Sequence, residues 1–100
     1  MANIFVLDVT YPAGPEAVDP HLEAHRAWLR EQYAAGTLLA SGRKEPRTGG
    51  IILARAADRA SVERLIEGDP FTRAGVAAYA ITEFAPTMTA PELEHLRVEA

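Results

Sequence analysis

The chain has 100 residues, and its 10 Lys and Arg against 14 Asp and Glu give a net charge of −4. This length fits one domain, 1–100, because a second hydrophobic core could not be filled. The absence of cysteine excludes disulfides and thiolate metal sites and is typical of a cytoplasmic protein. The mild acidity argues against binding to nucleic acid. No apolar run approaches the ~20 residues that span a membrane. We therefore expect neither a nucleic acid nor a membrane as a partner.

The first predicted strand covers residues 3–11, which are rich in β-branched and aromatic side chains and end at a proline. Asp19 and Pro20 follow in the order typical of a helix N-cap and the first helical position. The sequence therefore predicts a helix from about Pro20 to Ala35. Gly36 comes next and is expected to end this helix in a left-handed conformation.

Two short strands are predicted at 37–41 and 51–56. The proline- and glycine-rich segment between them is expected to join them as a long hairpin. Asp58 is placed to cap a second helix, which ends at Gly68. The predicted order up to this point is therefore strand, helix, strand, strand, helix.

The last part of the domain repeats the capping pattern, because Asp69 and Pro70 precede a short helical turn. The fourth strand is predicted over 76–84, and a last helix over about 91–97 in the C-terminal tail, 86–100. The resulting order is βαββαβ. This order is typical of a ferredoxin-like α+β fold, a four-stranded antiparallel sheet with both helices on one face.

The alternation of side chains along the strands predicts an oligomer. On the first strand, Ile4 and Val6 point to one face, while Phe5, Leu7 and Val9 point to the other. Two helices can cover only one face, so the second apolar face needs a partner. A second copy of the chain is the simplest partner, and we expect a homodimer formed through the open sheet face.

Two side chains are candidates for chemistry. In a regular helix His25 lies on the core-facing side with Leu22, where it is either a structural histidine or a general acid/base. Asp69 is either a helix cap alone or a carboxylate that accepts a hydrogen bond from His25. In the second case it would turn the other ring nitrogen toward a substrate, as the orienting member of a catalytic triad does.

A metal site is not expected at the helix histidines. His21 and His25 are four residues apart, a spacing that can hold a metal ion. Leu22, however, stands where the HExxH motif needs glutamate, and no third ligand is evident. His95 lies in the tail and has no evident partner. We therefore predict chemistry without a metal or another cofactor.

Ser41, Gly42 and Arg43 end the second predicted strand and are expected to bind substrate. Gly42 permits close approach to the backbone, and Arg43 can bind an anionic group. The alternative is a turn glycine followed by an exposed arginine. Ser41 is the one candidate nucleophile nearby, but no oxyanion-hole signature accompanies it, so hydrolysis through a serine triad fits poorly.

The sequence is similar to the YciI-like (YCII-related) family over about residues 3–85, as shown by the runs HRAWLREQYAAGTLLASG, EPRTGGIILA and EGDPFTRAGV. The resemblance implies a ferredoxin-like fold of the dimeric α+β barrel superfamily. It also implies a His–Asp active site, with the family histidine at His25 and the family aspartate at Asp69. Many members carry proline where this chain has Arg43. Elimination, such as dehydrochlorination, is associated with part of the family.

The residues and the resemblance together predict an enzyme-like homodimer that binds a small organic molecule, such as a hydroxylated ring, between the first helix and the sheet. His25 is expected to be the acid/base and Asp69 to orient it. Elimination or isomerisation suits one imidazole that shuttles a proton. The alternative is a non-catalytic metabolite-binding or accessory module with the same dimeric fold.

Overall fold

A computed structural model describes residues 2–99, in which four strands form one antiparallel sheet with helices against it. The strands are β1 (Asn3–Thr10), β2 (Leu38–Arg43), β3 (Gly49–Ala56) and β4 (Ala78–Phe84). The α-helices are α1 (Pro15–Val18), α2 (Leu22–Ala34), α3 (Arg59–Glu67) and α4 (Pro70–Arg73). The sheet order is β2-β3-β1-β4, which confirms the ferredoxin-like α+β fold.

The core lies between the helices and one face of the sheet. β1 is central and antiparallel to both neighbours, with Leu7 opposite Ile52 of β3 and opposite Ile81 of β4. Phe5 and Leu7 are wholly buried, because their side chains point to the face that the helices cover. The register therefore places every second residue of β1, β3 and β4 in contact with the helical layer.

The α-helix predicted from about Pro20 begins two residues later, and a one-turn helix that the sequence analysis did not predict precedes it. The one-turn helix α1 precedes a 3₁₀ turn, Asp19–His21, and α2 begins only at Leu22. Asp19 is not the N-cap that the sequence predicts, because its backbone is already helical (φ −51°, ψ −41°), whereas an N-cap residue is extended. Its carboxylate instead accepts a hydrogen bond from Arg47. Gly36 has a φ of 79°, as the sequence predicts for the residue that ends α2.

The boundaries of the strands differ from the predicted ones by one or two residues. The two later predicted N-caps, Asp58 and Asp69, are confirmed. β2 extends to Arg43 and contains an irregularity near Leu38, while β4 begins at Ala78. The side chain of Asp58 accepts a hydrogen bond from the Ser61 amide at 2.8 Å and caps α3. The predicted tail helix is a 3₁₀ segment, Pro91–Leu96.

The other face of the sheet carries both apolar and polar side chains. Val6 and Leu53 are partly buried at its centre, and Phe84 at its edge is 45% exposed. Asp8 and Arg55 share this face, so it is less uniformly apolar than the sequence pattern indicates. Within residues 2–99, no helix is long and apolar enough to cross a membrane.

Candidate active site

His25 lies in the middle of α2 and faces the sheet rather than the solvent. Its side chain is 12% exposed. The imidazole stacks on the ring of Phe71, with ring centroids 3.9 Å apart and planes within 5° of each other. The ring of Trp28, one helical turn further along α2, has its centroid 5.7 Å away. Two aromatic neighbours therefore restrict the orientation of the imidazole.

Asp69 is wholly buried at the N-terminus of α4. Its backbone is extended, and its Oδ1 accepts a hydrogen bond from the Phe71 amide at 3.0 Å, so it caps the helix as predicted. The same Oδ1 lies 2.7 Å from His25 Nδ1. The residue that caps a four-residue helix is thus also hydrogen bonded to a histidine 44 positions earlier in the chain.

Tyr79, on β4, is the third member of this group and was not a candidate in the sequence. Its hydroxyl donates a hydrogen bond to Asp69 Oδ2 at 2.5 Å. Burial, followed by the neighbouring Asp69 carboxylate, raises the pKa of Tyr79 well above its usual value of 10.0. The phenol therefore stays protonated and acts as a donor. The one available signal was its position on the helix-facing side of the fourth strand.

The hydrogen bond between His25 and Asp69 determines which nitrogen of the imidazole remains available. An ionised carboxylate only accepts hydrogen bonds, so the 2.7 Å contact assigns the imidazole proton to Nδ1. Nε2 makes no hydrogen bond to any residue from 2 to 99. One ring nitrogen of His25 is thus held by a buried carboxylate, and in the neutral imidazole the lone pair is on the other, Nε2.

A cleft of about 540 Å³ opens beside His25 and contains all three residues that the sequence assigns to substrate binding, Ser41, Gly42 and Arg43. Ser41 Oγ is hydrogen bonded to the Tyr33 hydroxyl at 2.7 Å. Arg43 is 71% exposed, and its Nε donates to Glu45 at 3.0 Å. The structure brings these residues to the same cleft as His25, and their part in binding a substrate stays a prediction.

Tyr11 and Arg47 also line the cleft, although the sequence did not single them out. Tyr11 packs edge-to-face on Phe71, with ring centroids 5.9 Å apart. Burial raises the pKa of Tyr11 above its usual value, so its hydroxyl is a neutral group at physiological pH. Arg47 Nη2 donates to Asp19 Oδ1 at 2.7 Å. Both residues lie in loops that meet only in the folded chain.

The two helix histidines that the sequence places four residues apart have different environments. His25 is committed to Asp69, and His21 lies in the 3₁₀ turn before α2. Across residues 2–99, no group of three or more His, Asp or Glu side chains is arranged to hold a metal ion. His95 lies in the 3₁₀ segment of the tail and does not line the cleft.

Comparison with known proteins places this fold among solved structures. One similar structure is 5-chloro-2-hydroxyhydroquinone dehydrochlorinase from Burkholderia phenoliruptrix AC1100, in complex with 2,5-dihydroxybenzoquinone. It is 22% identical to this chain, with a TM-score of 0.71, and the match covers 81% of this chain and 92% of that one. At this identity the similarity supports the fold.

A search of curated proteins found no match. The sequence model of the YCII-related domain, by contrast, matches residues 4–85, which contain the four α-helices and all of the sheet except the first residue of β1. The matched range includes both His25 and Asp69. The chain therefore belongs to the YCII-related domain family.

Proposed function

We propose that this protein is an enzyme in which His25 transfers protons to and from a small organic molecule bound in the cleft. The observation that carries the proposal is the 2.7 Å contact between His25 Nδ1 and Asp69 Oδ1, which leaves Nε2 unbonded at the cleft. Proton transfer between an imidazole and a substrate requires no cofactor. Asp69 acts as a positioning residue, and Tyr79 fixes the carboxylate of Asp69.

The proposed chemistry begins with Nε2 as a general base. Nε2 takes a proton from a hydroxyl or carbon of the substrate, and the electron pair of that broken bond forms a new π bond within the substrate. In an elimination, a leaving group departs with its own bonding pair. In an isomerisation, the protonated Nε2 returns the proton to another atom. The buried carboxylate of Asp69 stabilises the imidazolium that exists between the two steps.

The contacts of Ser41 favour acid/base chemistry over nucleophilic catalysis. A serine nucleophile needs a hydrogen bond to its base, and the base needs a second bond to an orienting group. Ser41 Oγ is hydrogen bonded to Tyr33, whereas His25 is bonded to Asp69. His25 and Asp69 therefore have the relation of base and orienting group without a bound nucleophile.

The similar structure suggests the first substrates to test. That protein is named for removing hydrogen chloride from a chlorinated, hydroxylated ring, and it holds a dihydroxybenzoquinone. A hydroxylated ring suits a base such as His25, because its hydroxyl proton is acidic and its π system accepts the electron pair. The cleft of about 540 Å³ is large enough for a ring of this size.

The test is a screen of matched chlorinated and chlorine-free hydroxylated rings, with chloride release and ultraviolet absorbance as readouts. We expect turnover by the native protein and a loss of roughly 10²–10⁴-fold in His25→Gln. His21→Gln is the matched control, because it changes a histidine outside the cleft near the start of the same helix. Full turnover by His25→Gln contradicts the acid/base role. Binding of rings without turnover of any favours the non-catalytic module.

We also propose that two copies of the chain pair through the open sheet face. The support is the partly buried pair Val6 and Leu53 at the centre of that face, together with Phe84 at its edge. Sedimentation velocity should give twice the 10.8 kDa mass of one chain at micromolar concentration. Leu53→Glu should weaken the pairing, and Ala24→Glu on the exposed side of α2 should not. A single-chain mass for the native protein contradicts the proposal.

A further inference from the structure

Arginine side chains line the cleft beside His25, and the proposed proton transfer does not use them. Three arginines line it, Arg26, Arg43 and Arg47, and no aspartate or glutamate is among its lining residues. The rest of the lining is largely apolar and aromatic, including Phe71 and Tyr11. A ligand with a flat apolar body and a negative group would match both parts of this surface.

Arg47 is the arginine best placed to receive that negative group. Its side chain is 35% exposed, against 71% for Arg43, so it loses less freedom and less hydration when a ligand binds. Its Nη2 donates to Asp19 Oδ1 at 2.7 Å. A guanidinium carries five N–H donors in a fixed plane, so the contact with Asp19 leaves others for a ligand.

The loop that carries Arg47 is anchored on both sides. The Tyr11 amide donates to the Thr48 carbonyl at 3.0 Å, which ties the loop to the end of β1. Lys44 Nζ lies 2.6 Å from Asp8 Oδ1, which ties the other side of the loop to the open face of the same strand. Together with the contact to Asp19, these bonds hold Arg47 beside Tyr11 before any ligand arrives.

We propose that the cleft selects small ring compounds that bear a carboxylate, with Arg47 binding the carboxylate and the apolar wall around Phe71 binding the ring. The inference names the substrate class of the site described under the proposed function, and it rests on that function only for the identity of the cleft. Ligand binding by Arg47 does not require turnover by His25. The two proposals therefore fail separately.

The test compares salicylate with salicylamide, which have nearly the same shape and differ in the charge of one group. Affinities are measured by calorimetry or by NMR titration of the full chain. We expect salicylate to bind roughly 10-fold more tightly than salicylamide, and added salt to reduce this ratio. In Arg47→Gln the ratio should fall to about one, with little change for salicylamide.

Two further variants separate the contribution of Arg47 to ligand binding from those of Asp19 and His25. Asp19→Asn removes the ion pair but keeps the guanidinium, so the ratio should be maintained or increase, which excludes a loss caused only by breaking the pair. His25→Ala should keep the ratio while it abolishes any turnover. The proposal is overturned if the native protein binds both compounds equally or neither, or if the ratio survives in Arg47→Gln. If the ratio holds and no ring is turned over, only the acid/base function fails.

Discussion

Asp58 and Asp69 are both N-caps whose carboxylates accept a hydrogen bond from a backbone amide of the helix that follows, but their surroundings are opposite. Asp58 is exposed, and its Oδ1 accepts from both the amide and the hydroxyl of Ser61. Asp69 is wholly buried and accepts from Phe71, His25 and Tyr79. An N-cap aspartate therefore forms a surface cap in one place and the centre of a polar network in the other.

The difference has a physical cause. A buried carboxylate is costly unless donors surround it, whereas an exposed carboxylate is solvated by water. Asp69 meets this requirement only because α2 and β4 bring His25 and Tyr79 to its two oxygens. Replacing the two aspartates in parallel separates what a cap contributes from what the buried network contributes.

The largest expected effect is on turnover. Asp69→Asn keeps the shape of the side chain but supplies an amide that no longer fixes the His25 proton on Nδ1. Activity on whichever ring the screen identifies should fall roughly 10²–10⁴-fold, as expected when an orienting group is lost. Asp58→Asn is the matched control and should retain native activity. Equal losses in the two variants would remove the distinction between network and cap.

The next effect is on stability. Asp69→Ala leaves the Phe71 amide, His25 Nδ1 and the Tyr79 hydroxyl without their common acceptor. We expect the free energy of unfolding in urea to fall by about 2–4 kcal/mol. Asp58→Ala should lower the free energy of unfolding by less than Asp69→Ala does, because water replaces the hydrogen bonds of Asp58. A larger loss at position 58 than at position 69 would contradict the assigned burial.

Tyr79→Phe should have an intermediate effect that depends on pH. Removing the hydroxyl leaves Asp69 Oδ2 without its donor and should cost about 1–2 kcal/mol near neutral pH. The pKa of Tyr79 is raised in the folded protein, so the folded state holds the phenol proton more tightly than the unfolded chain does. Its contribution is full below the unfolded value of 10.0 and declines as the pH rises toward the folded value.

The stability difference between the native protein and Tyr79→Phe should therefore narrow in alkaline solution. Urea unfolding at a series of alkaline pH values measures this difference directly. Tyr33→Phe, which removes an exposed hydroxyl bonded to Ser41, is the control and should change stability little. A difference that stays constant with pH would show that the Tyr79 hydroxyl is not held as a buried donor.

The smallest effect is expected at Asp58 in acid. The amide and hydroxyl of Ser61 lower the pKa of Asp58, so its capping contribution is present above the unfolded value of 3.8 and is lost as the pH falls through the lower, folded value. Asp58→Asn keeps a capping acceptor but has no charge to titrate. Its melting temperature should therefore fall less than that of the native protein between about pH 6 and about pH 3. If the melting temperatures of the two proteins fall by the same amount, the lowered pKa assigned to Asp58 is wrong.

The sequence predicted most of the fold because each element carries its own local signal. Alternating apolar residues indicated the strands, and Asp58, Asp69 and Gly36 marked helix ends that the structure confirms. Asp19 was misread because the same Asp-Pro pair also suits a 3₁₀ turn, and the ion pair with Arg47 that engages its carboxylate joins distant parts of the chain.

The site was predictable only in part. Asp69 could be placed near His25 from the topology, and their contact is present. Tyr79 and Arg47 could not be assigned from their own neighbourhoods, because one depends on the register of β4 against β1 and the other on the path of the loop after β2. Residues that act through long-range contacts leave little local pattern, whereas caps and strands are determined within a few positions.

The most direct test of the central claim is the tautomer of His25, measured by NMR through the ring nitrogens at a pH at which the imidazole is neutral. We predict a proton on Nδ1 in the native protein and in Asp58→Asn, because Asp69 Oδ1 accepts it. In Asp69→Ala both tautomers should be populated, since nothing then selects between them. A native His25 with its proton on Nε2, or the same tautomer with and without Asp69, would contradict the claim that the buried cap orients the histidine.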